Sequence, residues 1–465
     1  MEYMSRLLQR MQQNHNFNHH SRCAKLALTH LTFADDILLF ARGEKSSVDM
    51  MMKTMHTFYN STGLGVNTSK CNVYFGDVSE EEKQNILVST GFNEGQLPFR
   101  YLGVPLTSKK MSLNHYLPLI ERILNKIHHW SAKLLSMAGR IQLVKSVCTA
   151  IASYWLQCFP IPKCVIHKIH FVCHTFIWTG GETNSSKSPV AWDTVCKPIK
   201  HGGLGIIHLE MWNQVTMLKL LWNLSKKQDC LWVKWMHSYF IKEQNLMNIE
   251  VTMGASWIIK GVMKARNRIN DILSYWNSSI TSQKFSLGSA YKVLYSDNNF
   301  VAWYDLIAGN MARPRAVTYL WLTCHRRMAT KDRLAKWGII GDVQCCLCHE
   351  IENIDHLFFE CSKLNQIWRD VLSWLCVDYL PSPWNVELQW LITYCSGKGK
   401  KAWIMKIAIA ETIYHCWLFR NVVCFGNRID RNTTDIVNNI IEAIIHRSWH
   451  SRRYREYTAH LMLHT

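Results

Sequence analysis

The 465-residue chain lacks any apolar run of the roughly 18 residues that a membrane-spanning helix needs. Its best stretch, Ala402 to Phe419, is interrupted by Lys406, Glu411 and His415. The beginning of the chain carries Arg6 and Arg10 without an apolar segment behind them, so a secretory leader is not expected and the cysteines are expected to stay reduced. A nuclear or cytoplasmic location follows as the expectation, with no membrane partner. Internal repeats and low-complexity blocks are missing. Acidic residues are scarce: 34 Asp and Glu stand against 53 Lys and Arg, giving a net charge of +19 and a pI of about 9.2. Such a balance points to a polyphosphate partner, bound in a salt-dependent and largely sequence-indifferent way. The seventeen cysteines are odd in number and scattered, which fits thiols and metal ligands better than a disulfide framework.

What is present argues for real cores. Hydrophobic residues make up 48% of the chain, enough for about two to four domains. Twenty tryptophans and seventeen tyrosines offer stacking surfaces for unpaired bases, although Trp130, Trp155 and Trp222 read as core.

The most informative residues are Asp35 and Asp36, adjacent carboxylates flanked by the apolar segments Thr29 to Ala34 and Ile37 to Ala41. Both flanks are rich in β-branched and aromatic residues, so two short strands are predicted with the acids at the hairpin tip. Two hard oxygen donors side by side repel unless a cation lies between them. Mg²⁺, which favours carboxylates together with substrate phosphates, is the expected ion, and phosphoryl or nucleotidyl transfer is its natural chemistry.

The run Phe33-Ala34-Asp35-Asp36 resembles the catalytic hairpin of reverse transcriptases in the form used by plant non-LTR (LINE-type) retroelements. Gly63-Leu64-Gly65-Val66-Asn67-Thr68-Ser69-Lys70 is similar to the next palm motif, and Phe99-Arg100-Tyr101-Leu102-Gly103-Val104-Pro105-Leu106 to the primer-gripping hairpin before the thumb. The resemblance implies catalytic roles for Asp35, Asp36 and Lys70, Mg²⁺ on the two aspartates, and template-primer contacts at Arg100 and Tyr101. It also implies a third aspartate on a palm strand upstream of the hairpin. Glu2 is the only acid before Asp35, and it falls in a helical pattern, so no residue here matches that ligand. The expectation is therefore a polymerase segment inactive alone.

Ser46-x-x-Asp49 and Ser79-x-x-Glu82 read as helix-starting capping boxes, and Gly63 and Gly91 as the corresponding ends. Val48, Met51, Met52, Met55 and Tyr59 share one face between the first pair of signals. From Ser112 the three- and four-residue spacing of Tyr116, Leu117, Ile120, Ile123, Leu124, Ile127 and Trp130 predicts a helix, followed by another through Ile141, Val144, Cys148 and Trp155 that Pro160 closes. Lys126, Lys133, Arg140 and Lys145 on these helices are candidates for tracking a nucleic-acid backbone; a solvated face explains them equally well. Residues 130–140 resemble the thumb of the same retroelements. Thr179 to Ser188 reads as a linker. Gly202-Gly203-Leu204-Gly205 lacks a following P-loop Lys-Ser/Thr and reads as a tight turn.

Cys345-x₂-Cys348-x₇-His356-x₄-Cys361 is the second constellation. Thiolates two residues apart grip Zn²⁺ from a turn, and a His and a Cys from a second short element close the tetrahedron. Cys346 stands as an alternative to Cys345, and His349 as a weaker ligand. A thiolate-rich site of this kind is structural, with metal and folding coupled. The surrounding run from Phe285 through Trp321 and Trp337 to Cys361 resembles the zinc-binding domain downstream of reverse transcriptase in plant LINE-type elements. Arg313, Arg315, Arg326, Arg327 and Lys331 make its approach basic.

The fold class expected is α+β: a partial palm over 1–108, a thumb-like helical bundle over 109–180, a connector over 181–284, a mostly helical zinc-binding domain over 285–380 and a basic helical region over 381–465. The function expected is that of a segment of an RNA-directed DNA polymerase that binds zinc and nucleic acid, RNA and DNA, as template-primer or target. The alternative is a non-catalytic nucleic-acid-binding zinc protein of retroelement descent.

Overall fold

The computed structural model describes residues 1–129, 134–181, 188–295, 299–397, 399–426, 432–449 and 452–463. Trp130, Lys133 and most of the linker expected at 179–188 lie outside the described residues. Helices dominate, and the strands among the described residues form three two-stranded sheets, so the α+β class is observed with a strong helical excess. The chain divides into two compact units, each assembled from separated stretches: Met1–Pro118, Trp155–Pro160 and Asn213–Leu294 in the first, Leu119–Tyr154, Ile161–Trp212 and Tyr295–Thr465 in the second.

In the first unit the order is α1 (Glu2–Met11), β1 (His30–Phe33), β2 (Asp36–Leu39), α2 (Lys45–Thr62), β3 (Asn72–Val73), α3 (Glu80–Thr90), β4 (Asn93–Glu94), β5 (Phe99–Tyr101) and β6 (Val104–Leu106). Met51, Met55 and Phe58 of α2 bury against Met4, Leu8 and Met11 of α1, and Ile37 and Leu39 of β2 pack on the same cluster. Met51 and Met55 of the expected stripe are thus core and fix one face of the strand that begins at Asp36, whereas Tyr59 is exposed and Phe58 takes its place in the core. Gly63 and Gly91 end α2 and α3 in the left-handed conformation, where a residue without Cβ carries no steric penalty.

The two capping boxes fare differently. Ser79 accepts the Glu82 N–H at 3.4 Å as expected. Ser46 does not cap α2, which starts one residue earlier, at Lys45. Tertiary partners replace the local box: the Lys45 N–H donates to Glu82 Oε1 at 2.6 Å, Ser47 Oγ accepts from the Asn18 N–H at 3.0 Å, and Asp49 takes bonds from Lys45 and Ser89. A second apolar cluster in this unit gathers Leu218, Leu221 and Trp222 with Met236, Val262, Trp276 and Phe285.

The second unit is built around the helix Lys400–Phe425. Ile404, Met405, Ile407, Ala408, Ile409 and Ala410 are all buried, so apolar residues surround its axis rather than one stripe, as in a helix enclosed by protein. Helices Pro314–Cys324, Ser362–Trp374 and Thr433–Ser448 pack on it. No described helix is long and apolar enough to cross a membrane. The glycine cluster is a turn: a Cβ on Gly203 would lie 1.8 Å from the Lys197 carbonyl oxygen, and the Gly202 carbonyl accepts from Trp321 Nε1 at 2.8 Å.

Glu411 sits at 0% exposure within the long helix and is held by the Arg313 side chain and by the Arg313 N–H at 3.0 Å. A buried charge deprived of its partner is expensive. Arg313→Ala is expected to lower unfolding free energy by about 3 kcal/mol or more in urea titration, and Arg313→Ala combined with Glu411→Leu to recover part of that loss.

Candidate metal centres

β1 and β2 pair antiparallel with Phe33 opposite Asp36, leaving Ala34 and Asp35 as a two-residue turn. Ala34 adopts φ +53°, a conformation that costs a residue with Cβ roughly 1–2 kcal/mol. His30 anchors the base of the hairpin: its Nε2 lies 3.0 Å from Ser5 Oγ on α1 and its Nδ1 3.0 Å from Thr29 Oγ1, and burial lowers its pKa. Asp35 and Asp36 project from this held turn, both exposed. Among the described residues no third Asp, Glu, His or Cys joins them in a three-donor group. The donor set therefore fits a hard cation that keeps most of its waters or takes oxygens from a bound phosphate, as Mg²⁺ does.

Three other candidates lie on the first unit. Lys70 ends a short 3₁₀ turn, is exposed, and forms no ion pair with either aspartate. Arg100 is exposed and Tyr101 half-buried on β5, in the hairpin that pairs Arg100 with Pro105. In the second unit, Lys126 is exposed on the helix Leu117–His129. Arg140 is turned inward: its Nε donates to the Leu135 carbonyl at 3.1 Å and its Nη1 to the Ile177 carbonyl at 3.3 Å, and burial lowers its pKa. Lys145 is half-buried in a π-turn over Val144–Cys148, and desolvation lowers its pKa. Periodicity placed both on polar positions but could not register the neighbours that cover them.

The cysteine and histidine constellation does converge. One ligand atom from each of Cys345, Cys348, His356 and Cys361 lies within 4.8 Å of the others. Cys348 Sγ is 3.1 Å from His356 Nε2. Cys345 and Cys361 are completely buried and His356 nearly so. A tetrahedral Zn²⁺ with bonds of 2.0–2.3 Å requires ligand atoms roughly 3.5–3.8 Å apart, so these four fit the ion with small adjustments. The knuckle is shaped by backbone: the Cys345 N–H donates to the Glu350 carbonyl at 2.6 Å, Gln344 bridges to Ile351, and His349 takes φ +67° at the bend. Asn353 Oδ1 then caps the next turn, accepting from the N–H groups of Asp355 and His356 at 2.9 Å each. Asn353 was not anticipated, although an Asn three residues before a ligand histidine is a legible helix-start signal.

The metal-free electrostatics are those of thiols crowded together. A hydrogen bond from Cys361 holds Cys345 down at about 3, and Cys361 is raised in exchange. The Cys345 hydrogen bond raises His356. Neither alternative ligand enters the group. His349 is excluded from it, and Cys346 is bonded to Cys424 in a disulfide, which corrects the expectation that all thiols remain free. Four protein ligands close the tetrahedron, so a bound Zn²⁺ would organise the knuckle and leave no position open for substrate. Glu352, fully buried, ties it to the long helix through Arg420, whose Nε donates to Glu352 Oε2 at 3.0 Å.

Residues 1–106 match the family model described as reverse transcriptase (RNA-dependent DNA polymerase), and residues 285–368 the model described as zinc-binding in reverse transcriptase. The two matches enclose the aspartate hairpin and all four zinc ligands. Over these two stretches the chain is similar to retroelement reverse transcriptases. Two relatives from Arabidopsis thaliana agree in part. One, named as a ribonuclease H protein, is 26% identical over 129 residues, covering 28% of this chain and 21% of its own length. The other, named as an uncharacterized mitochondrial protein, is 24% identical over 122 residues, covering 26% of this chain and 79% of its own length. The chain thus spans about a fifth of the length of the first of these relatives.

Cys348→Ser and His356→Ala are each expected to reduce zinc from about one equivalent towards none by atomic absorption, whereas Cys346→Ser retains it. Metal displaces protons from thiols and from the raised His356, so zinc uptake releases protons and affinity falls as pH falls. Calorimetry in buffers of different ionisation enthalpy measures that release; zinc uptake without protons would contradict the ligand set.

Proposed function

We propose that the chain is a nucleic-acid-handling segment of a retroelement polymerase that binds RNA and DNA through its basic surface, folds its zinc-binding domain around one structural Zn²⁺, and does not extend a primer by itself. Asp35 and Asp36 form an open Mg²⁺ seat, with Lys70, Arg100 and Tyr101 on the same unit as the residues facing nucleotide and primer. One observation carries this reading: the two aspartates occupy the tip of a two-residue hairpin inside the matched reverse-transcriptase stretch, and no third carboxylate stands with them among the described residues.

The chemistry explains the expected lack of turnover. Two-metal nucleotidyl transfer needs the attacking and leaving oxygens clamped together. Two exposed carboxylates hold one hydrated ion loosely and leave the second metal without a fixed bridge. When bound, Mg²⁺ would supply charge to phosphate oxygens. The protein's own contribution is to fix Asp35 and Asp36 on a turn anchored by His30 and by the core beneath Ile37 and Leu39.

The net charge of +19 supports the binding half of the proposal. Exposed Lys126 remains a candidate phosphate contact; Arg140 and Lys145 are better assigned to the interior of their own unit. The alternative, a non-catalytic nucleic-acid-binding zinc protein of retroelement descent, differs in one measurable respect: it predicts no Mg²⁺ affinity at the hairpin.

Three measurements test this. Primer extension on an RNA template with Mg²⁺ is expected to show no product; extension abolished by Asp35→Asn would overturn the inactivity. Mn²⁺ line-broadening of Asp35 and Asp36 resonances is expected in the wild type and absent in Asp35→Asn with Asp36→Asn. Binding to duplex is expected to weaken with salt at a slope of about −0.9 per phosphate neutralised, and a flat salt dependence would remove the electrostatic argument.

A further inference from the structure

Cys346 lies between two zinc ligands in sequence yet takes no part in their cluster. Its sulfur is bonded to Cys424, at the C-terminal end of the long helix, across 78 residues and with 5.8 Å between the Cα atoms. Neither side chain is sealed in the interior, so a small reagent has access to both. The other cysteines of the described residues form no disulfide.

What makes this pair more than an incidental bond is the contact beside it. Glu352, seven residues below the first zinc ligand, is joined by Arg420, one turn before Cys424, and the pair is buried with exposures of 0% and 1%. Cys346 Sγ also lies 3.8 Å from the Arg420 carbonyl oxygen. The ion pair joins the same two elements independently of the sulfur–sulfur bond. A dithiol kept in register by an independent ion pair closes without a search and reopens without losing its geometry.

We propose that Cys346 and Cys424 are a reversible thiol–disulfide clasp, closed by exchange with a low-molecular-weight disulfide and opened by a low-molecular-weight thiol, which fastens the zinc knuckle to the long helix without using a zinc ligand. In closing, one protein thiolate attacks the small disulfide, forming a mixed disulfide and expelling one small thiolate. The second protein thiolate attacks the protein sulfur of that bond and expels the other. The protons of Cys346 and Cys424 end on the two small thiols; the protein loses two electrons and the small disulfide gains them. In a reducing compartment the clasp rests open, and Cys346 is then a free thiol next to Cys345. Closure removes it from competition for the metal and constrains the 78-residue loop.

The test uses the full zinc-loaded chain, equilibrated at fixed pH with mixtures of glutathione and glutathione disulfide, then quenched, alkylated and digested. The Cys346–Cys424 cross-linked peptide is expected to rise with the disulfide and vanish with the thiol, while zinc stays at about one equivalent. Amide exchange across residues 343–361 is expected to slow about tenfold or more on closure. Cys424→Ser is expected to retain zinc and to show neither change. The proposal is overturned if the cross-linked peptide is absent at the most oxidising mixture, if Cys346 instead pairs with Cys345 or Cys348 and zinc is released, or if exchange rates are the same in both states. Zinc content in Cys348→Ser is read separately, so failure of the zinc assignment and failure of the clasp are distinguishable.

Discussion

A carboxylate with no exposed surface stays charged only if a cation is brought to it, and the second unit rests on that constraint twice. Glu352 belongs to the zinc knuckle and Arg420 to the long helix, and each is the other's partner in a region with no water to replace either. The Lys331 N–H adds a further bond to Glu352 at 2.9 Å. Glu411 and Arg313 repeat the arrangement between the same long helix and the start of Pro314–Cys324. Apolar packing alone is tolerant of sliding; a bidentate guanidinium–carboxylate contact is not, because both planes and both oxygens must match. The ionic contacts therefore set the angular register of the knuckle, and the apolar contacts supply most of the burial.

The two candidate metal centres sit at opposite ends of coordination chemistry. The cysteine and histidine set is soft, buried and complete, so its metal would be part of the fold and exchange slowly. The aspartate pair is hard, exposed and incomplete, so an ion there would come and go with its water and with any phosphate presented to it. A chain carrying both is expected to lose its fold when stripped of one metal and to lose nothing structural when stripped of the other.

Sequence reasoning reached the hairpin and the knuckle because both are local. Asp35 and Asp36 stand between two apolar flanks rich in β-branched and aromatic residues, and Cys345, Cys348, His356 and Cys361 all fall within seventeen residues. The same reasoning placed the methionines of α2 in the core and read Gly202 to Gly205 as a turn, since spacing and the missing Cβ are visible in one dimension. It failed where the partner is remote. The start of α2 is held by Glu82, not by Ser46; Arg140 is turned to the Ile177 carbonyl on another helix; Cys346 finds a sulfur 78 residues away. Nothing near those residues in the chain announces the contact, and each has a locally plausible alternative use.

The hairpin has a further property that follows from its pairing of Phe33 with Asp36. With side chains alternating across a strand, moving β2 by a single residue against β1 would carry Ile37 to the open side and swing Asp36 over the methionine floor, where a lone carboxylate is unwelcome. The turn between the strands thus acts as a frame counter: its length, more than the identity of its residues, decides which chemistry faces outward, and gain or loss of one amino acid there is far more disruptive than most replacements.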